Sequence, residues 1–138
     1  KEIQQGGFKV CFNQGINIRL INEESANRLA ALKYIDDQFK SKRIYTAWDN
    51  AKDEKIFFRG LGYLTTAGIR PANIMVYMLV GYWPGETMED VFLRFHKLCD
   101  AGVMPFPMVY DENNRELKRF QRWVIRRYYQ FIDWKDYK

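Results

Sequence analysis

A chain of 138 residues that is 47% hydrophobic, 17% aromatic and 28% charged, with only 4 prolines, has the composition of one packed domain and not of a disordered tail. It is long enough to bury a sizeable core without disulfides or metals, and no run approaches the roughly 20 apolar residues of a membrane-spanning helix. The net charge of +5 is uneven: residues 1–114 hold 14 Lys+Arg against 14 Asp+Glu, whereas residues 115–138 hold 8 against 3. Cys11 and Cys99 lie too far apart for a local metal motif and read as buried thiols of a reducing, cytoplasmic compartment. Lys1 to Gly7 contain neither a start methionine nor the apolar core of a signal peptide, so we expect an internal or C-terminal piece of a larger protein.

Along the chain the hydrophobic period alternates between two and about 3.6, as strands and helices do. Phe8, Val10 and Phe12 alternate with polar neighbours, Asn13-Gln14-Gly15 interrupts, and Ile16, Ile18 and Leu20 resume the alternation, which fits either a hairpin or one kinked strand. Asn22-Glu23-Glu24 supplies a cap and an acidic first turn, and the helical spacing of Ala26, Leu29, Leu32, Ile35 and Phe39 predicts a helix to about Phe39. A strand over Lys42–Trp48 follows, then Asp49-Asn50 as the cap of a helix carrying Ile56, Phe57, Leu61 and Leu64 that stops at Gly68. Ile74–Val80 is a nearly unbroken apolar run, the composition of a parallel strand covered on both faces. Thr87 to Asp90 matches a capping box, Met88, Val91, Phe92, Phe95, Leu98 and Cys99 share one helical face, Gly102 closes that helix, and Met104–Tyr110 is the next strand. Ala67-Gly68-Ile69-Arg70-Pro71 before Met75-Val76-Tyr77 parallels Ala101-Gly102-Val103-Met104-Pro105 before Met108-Val109-Tyr110, a weak internal repeat. Strand–helix units about every 30 residues, with crossovers too long for hairpins, predict an α/β fold of about four βα units on a parallel sheet: half a barrel or a small doubly wound sheet.

Ligands of such folds gather at the carboxyl ends of the strands, where loops and helix N-termini offer unpaired amides. The candidates are therefore Asn13, Gln14 and Arg19 around the first strand, Asp49 and Asn50 after the second, Gly81 to Glu86 after the third, and Tyr110 to Glu112 after the fourth. Each has a plainer reading: Asp49 as a helix cap, Glu86 as a balance to a helix dipole, Arg19 as a solvated charge. His96, the single histidine, lies off the apolar stripe of its helix, which excludes a histidine triad or a multi-histidine metal site. Neither a phosphate-binding loop of the G-x-x-x-x-G-K-S/T type nor a G-x-G-x-x-G run occurs.

Met78-Leu79-Val80-Gly81-Tyr82-Trp83-Pro84-Gly85-Glu86-Thr87-Met88-Glu89-Asp90 resembles the I/V-G-F-P-G-E-T-x-x-D segment after the fifth strand of radical S-adenosylmethionine enzymes related to tRNA methylthiotransferases, with Trp83 as one extra residue. Val10 to Ile21 looks like the third barrel strand of that superfamily and Ile44 to Asn50 like the fourth. The likeness spans about residues 8–138 and is nearest to uncharacterised bacterial and phage members whose ends read like Arg119 to Val124 and Trp134 to Lys138. It implies that residues 1–112 are the C-terminal βα units of a (β/α)6 partial TIM-like barrel and that residues 113–138 pack on it as a basic aromatic helix and tail. It further implies S-adenosylmethionine at the strand tips, a 4Fe-4S cluster whose C-x-x-x-C-x-x-C ligands lie outside this chain, and reductive cleavage to a 5′-deoxyadenosyl radical in the full-length protein. Within that likeness Asp49 and Asn50 match the position near the cofactor ribose, Leu79 and Gly81 the segment against which adenine lies, and Glu86 the residue ordering the following loop. Arg19 is assigned to the cofactor carboxylate by charge, and Tyr110 to adenine or substrate. The catalytic residues and the substrate stay unassigned. The missing N-terminal part and an electron donor such as flavodoxin or ferredoxin are the implied partners, no metal ligand is assigned within the chain, and the fragment alone should be inactive.

The tail permits a second reading. Leu117, Phe120, Val124, Tyr128 and Phe131 recur at helical spacing among Arg115, Lys118, Arg119, Arg122 and Arg126. Such a cationic amphipathic helix either packs its aromatic stripe and solvates its charges, or presents Arg119, Arg122 and Arg126 to the phosphates of RNA or DNA. A non-catalytic α/β module that binds nucleic acid, and a scaffold without ligands, are thus the alternatives to an enzyme.

Overall fold

A computed structural model describes residues 9–11, 16–31, 33–35 and 43–138, and shows a mixed α/β fold with a three-stranded parallel sheet and four α-helices. In chain order the elements are β1 (Lys9–Cys11), α1 (Glu23–Ala31), β2 (Lys33–Ile35), β3 (Ile44–Ala47), α2 (Glu54–Thr66), β4 (Ile74–Val80), α3 (Met88–Asp100), β5 (Met104–Val109) and α4 (Arg115–Ile125). β1 and β2 form a parallel pair, and β3, β4 and β5 form the sheet in sequential order, every neighbour parallel. The sheet is singly wound, because its strand order never reverses among these three.

Strand alternation sorts the sheet into two unlike faces. Ile44, Thr46, Ile74, Val76, Met78, Val80 and Val109 point to one side and are buried. They join Phe57, Leu61 and Leu64 of α2, Val91, Phe95 and Leu98 of α3, and Leu117, Phe120 and Val124 of α4 in one contiguous core, with Thr46 satisfied by the Ile16 carbonyl. The other face carries Tyr45, Met75, Tyr77 and Phe106, whose three rings form a ladder: Tyr45 stacks on Tyr77 at 5.9 Å, and Phe106 meets Tyr77 edge-on at 5.4 Å. Neither Tyr45 nor Met75 belongs to the helix-side core. Right-handed crossovers between strands laid down in sequence place successive helices on one side, which accounts for the division.

The sheet has two different flanks. Trp48 N–H donates to the Tyr77 carbonyl at 2.9 Å, so alternate β3 residues bond β4, and Tyr45 turns its carbonyl outward to accept from Ile16 N–H at 2.7 Å. Tyr110 N–H donates to the Val80 carbonyl at 3.0 Å, so in β5 the even-numbered residues bond β4. Pro105 and Pro107 therefore place their missing N–H groups on the outer edge, where a proline costs no ladder bond. The outward Pro107 carbonyl accepts from Gln121 Nε2 of α4 at 3.0 Å.

Four expectations are corrected. Ile18–Leu20 is a 3-10 turn and not a strand, because Asn17 caps it through Oδ1 to Arg19 N–H and Ile18 is buried against Gly60. The first helix ends at Ala31 and not at Phe39, since Lys33–Ile35 pairs with Lys9–Cys11 as a strand. Asp49 caps no helix; Asn50 does so, through Oδ1 to Lys52 N–H, in the turn Ala51–Asp53 that leads into α2. The C-terminal helix stops at Ile125, with Arg127 in the left-handed region at φ 59°, so Tyr128 and Phe131 lie beyond it. Phe8, Phe12, Asn13, Gln14, Leu32 and Phe39 fall outside the described residues.

Other local signals give the elements they predict. Gly68 and Gly102 take positive φ after α2 and α3, and the Thr87–Asp90 capping box is complete, with Asp90 N–H donating to Thr87 Oγ1 and Thr87 N–H to Asp90 Oδ2.

Gly60 and Gly62 of α2 provide a matched test. A Cβ at Gly60 would overlap the Ile18 carbonyl, whereas one at Gly62 meets open space. Gly60→Ala should destabilise the protein by about 1–3 kcal/mol through overpacking, and Gly62→Ala should stabilise it by roughly 0.5–1 kcal/mol through helix propensity. Urea unfolding of the two variants beside the parent checks both signs.

Candidate functional site

The carboxyl tips of β3 and β4 are tied together by one buried cation. Arg94 lies on the inner side of α3 between Val91 and Leu98, with its side chain only 2% exposed. Its Nη1 donates to the Trp48 carbonyl at 2.9 Å, and its Nη2 donates to the Leu79 carbonyl at 2.7 Å and to Glu86 Oε2 at 2.8 Å. The other Glu86 oxygen, Oε1, accepts from Gly81 N–H at 3.0 Å. The ion pair thus fastens both strand ends and the loop between Gly81 and Glu86 to the first half of α3. A guanidinium suits this place because its fixed donor fork can satisfy two carbonyls and a carboxylate at once.

Gly81 itself adopts φ 79°, a conformation that favours glycine, and a Cβ there would press on the end of the Leu117 side chain. A second tie runs outside the first. Asp49 Oδ1 accepts from Leu79 N–H at 2.9 Å, and Trp83 Nε1 donates to the Asp49 carbonyl at 2.7 Å. Asp49 is exposed and has no ion-pair partner among the described residues, which leaves its second oxygen open to a ligand.

The sequence-predicted residues therefore divide. Asp49, Leu79, Gly81 and Glu86 come together at the tips of β3 and β4, and Tyr110 stands at the adjacent tip of β5. Asn50 has its Oδ1 committed to the turn into α2. Arg19 is exposed, 4.0 Å from Asp53 at the start of α2, and so belongs to the neighbouring turn. Glu86 bonds Gly81 N–H and the buried Arg94, a residue absent from the sequence-based candidates. Its signal was a charged residue at a position of α3 that the apolar spacing assigns to the core. Trp83 was noticed only as an extra residue, although its indole N–H joins the β3 and β4 tips.

Two of the tail arginines, Arg119 and Arg122, are engaged within the fold. Arg119 lies 4.2 Å above the Trp134 ring and donates to the Tyr137 carbonyl, and Arg122 Nε donates to the Tyr137 hydroxyl at 2.6 Å. Trp123 Nε1 donates to the Ile132 carbonyl at 2.8 Å, which straps the chain after Arg127 back across α4. Arg126 is exposed. Phosphates offered to Arg119 and Arg122 would compete with contacts that already hold their guanidinium groups.

A cavity of about 670 Å³ lies elsewhere, at the amino ends of β4 and β5, between Arg43, Met75, Phe106, Arg127 and Tyr129. The C-termini of α3 and α4 lie beside it, where the helix dipoles place partial negative charge. The strand tips are the better ligand site on electrostatic grounds, although the cavity beside Gly81 and Glu86 measures only about 240 Å³. No group of three or more His, Cys, Asp or Glu able to hold a metal occurs among the described residues, and none of their helices is long and apolar enough to cross a membrane. On α3, burial and then the neighbouring Asp100 charge push the Cys99 thiol up to about 11.

Arg94→Met should destabilise the protein by about 3–5 kcal/mol, since it strands the Glu86 carboxylate in the interior; urea unfolding measures the loss. Cys99 should stay a thiol at neutral pH and resist iodoacetamide, with a pH–rate midpoint near 11 by peptide mapping of the native protein. Because this proton is held more tightly folded than unfolded, Cys99 contributes stability below the unfolded thiol value near 9 that fades as pH rises through about 11.

In comparisons with protein-family models, curated proteins and solved structures, nothing matches this chain.

Proposed function

We propose that this chain is the C-terminal part of a radical S-adenosylmethionine enzyme, with β3, β4 and β5 as the last three strands of a partial barrel and the cofactor nucleoside at their carboxyl tips. The observation that carries the reading is the pairing of an open carboxylate, Asp49, with a glycine of positive φ, Gly81, at the ends of adjacent parallel strands. A carboxylate accepts strongly from vicinal ribose hydroxyls, and a backbone without a Cβ allows a flat base to lie against the strand. The singly wound sheet, with helices on one face and the Tyr45–Tyr77–Phe106 ladder on the other, supports a barrel whose inner surface is that ladder. β5, with its prolines on the outer edge, suits the last strand of an open barrel.

The described residues do not fit an iron–sulfur cluster, which requires thiolates they do not group together. The cluster ligands belong to a preceding part of the same protein, and an electron carrier such as flavodoxin or ferredoxin is its reductant. What this chain contributes is the floor of the nucleoside site: Asp49 for the ribose, Leu79 and Gly81 beside the base, and the Glu86–Arg94 pair holding the loop in place.

The test uses the parent protein, reconstituted anaerobically with iron and sulfide. Asp49→Asn keeps the oxygen that accepts from Leu79 N–H while removing the charge, and should weaken S-adenosylmethionine binding about tenfold by calorimetry with cluster absorbance unchanged. Equal affinity in both proteins would remove Asp49 from the site. Absence of a C-x-x-x-C-x-x-C run upstream of Lys1 in the coding sequence would remove the enzyme reading altogether.

A further inference from the structure

The exposed apolar side chains of this chain are unevenly distributed. Of the eight large ones on the described surface, Tyr82, Trp83, Met108 and Tyr110 crowd the tips of β4 and β5. Tyr82, Trp83 and Tyr110 remain 46%, 36% and 64% exposed, yet they are not loose. The Tyr82 ring meets Trp83 edge-on at 4.8 Å and Tyr110 edge-on at 4.9 Å, and the Trp83 indole is pinned by its bond to the Asp49 carbonyl. Aromatic rings held in place but left in water lose little entropy when they bind a ligand, and edge-on packing leaves ring faces free for stacking.

The charges beside these rings select the ligand. Asp49 and Asp111 flank them, and neither has an ion-pair partner among the described residues, whereas Glu86 is neutralised by Arg94 and Glu112 by Lys118. Electron-rich ring faces next to unpaired carboxylates attract a planar cation and repel a phosphate. We infer that Tyr82, Trp83 and Tyr110 form a platform for a flat, positively charged heteroaromatic ring of the substrate, outside the cofactor position. This rests on the proposed function for the word substrate, and on the geometry alone for the ring. Two sources could present such chemistry, the substrate or the adenine and sulfonium of the cofactor, and the experiment separates them.

The probe is 1-methylnicotinamide, titrated into the parent protein with S-adenosylmethionine absent or saturating and followed by calorimetry and tryptophan fluorescence lifetime, with benzoate as the anionic ring control. Saturable 1:1 binding of the cation in both conditions, with none of benzoate, is expected. Tyr110→Ala and Tyr82→Ala, each with an unchanged circular dichroism spectrum, should each weaken the probe roughly tenfold or more, with S-adenosylmethionine affinity unaltered. Purely collisional quenching, equal binding of benzoate, or probe binding indifferent to both variants would overturn the platform. A parallel fall in cofactor affinity would overturn the substrate assignment, giving the rings to the cofactor. Should the probe bind as described while S-adenosylmethionine does not bind at all, the platform stands and the enzyme reading fails.

Discussion

A single desolvated guanidinium decides how the carboxyl end of this sheet is built. Arg94 reaches from the inner face of α3 to the carbonyls of Trp48 and Leu79 and to Glu86, and thereby joins two strand ends, a loop and a helix through contacts of 2.7–2.9 Å. Burying a charge is costly unless its partners are complete, so the surrounding chain is constrained to keep them in place. Trp48 must end β3 with its carbonyl turned inward, the loop must carry a carboxylate five residues after Gly81, and Gly81 must present its N–H to that carboxylate. The exposed groups inherit this order. Asp49 follows Trp48 directly, and Tyr82 and Trp83 follow Gly81, so their positions are set from beneath.

The distribution of apolar groups over the sheet follows from winding. Because β3, β4 and β5 are laid down in sequence with helical crossovers, one face receives α2, α3 and α4 and the continuous core. The opposite face is built from larger and partly polar rings, Tyr45, Tyr77 and Phe106, in contact with one another. The C-terminal strap belongs to the helical side. Trp134 and Tyr137 cover the aromatic surface of α3 and α4, and Arg119 and Arg122 hold them there, so two of the tail's eight basic residues serve to attach it.

What could be read directly from the chain was what local chemistry determines. The apolar run of β4, the Thr87–Asp90 box and the glycines after α2 and α3 are settled by neighbours within a few residues, and the structure has them where expected. Lys33–Ile35 could not be read, because Ile35 keeps helical spacing in sequence with Leu32 and Phe39 while the strand exists through pairing with Lys9–Cys11, some 24 residues away. Ile18 likewise alternates as a strand residue would, yet it is drawn into a turn by the gap that Gly60 leaves on α2. Of the site, strand polarity alone located Asp49, Gly81, Glu86 and Tyr110. Arg94 was legible too, as a charge on a core stripe, but only its partners at distant strand ends explain it. The end of α4 was misplaced because the aromatic spacing continues through Tyr128 and Phe131 after the backbone has turned left-handed at Arg127.

The proline pair in β5 gives the sheet a direction of growth. A strand laid against that border would find two amide donors missing and the Pro107 oxygen already occupied by Gln121, so the ladder cannot be prolonged there without vacant rungs. On the opposite flank the Tyr45 oxygen already receives the Ile16 amide. The two pyrrolidine rings thus make the β5 border a poor template for a further strand.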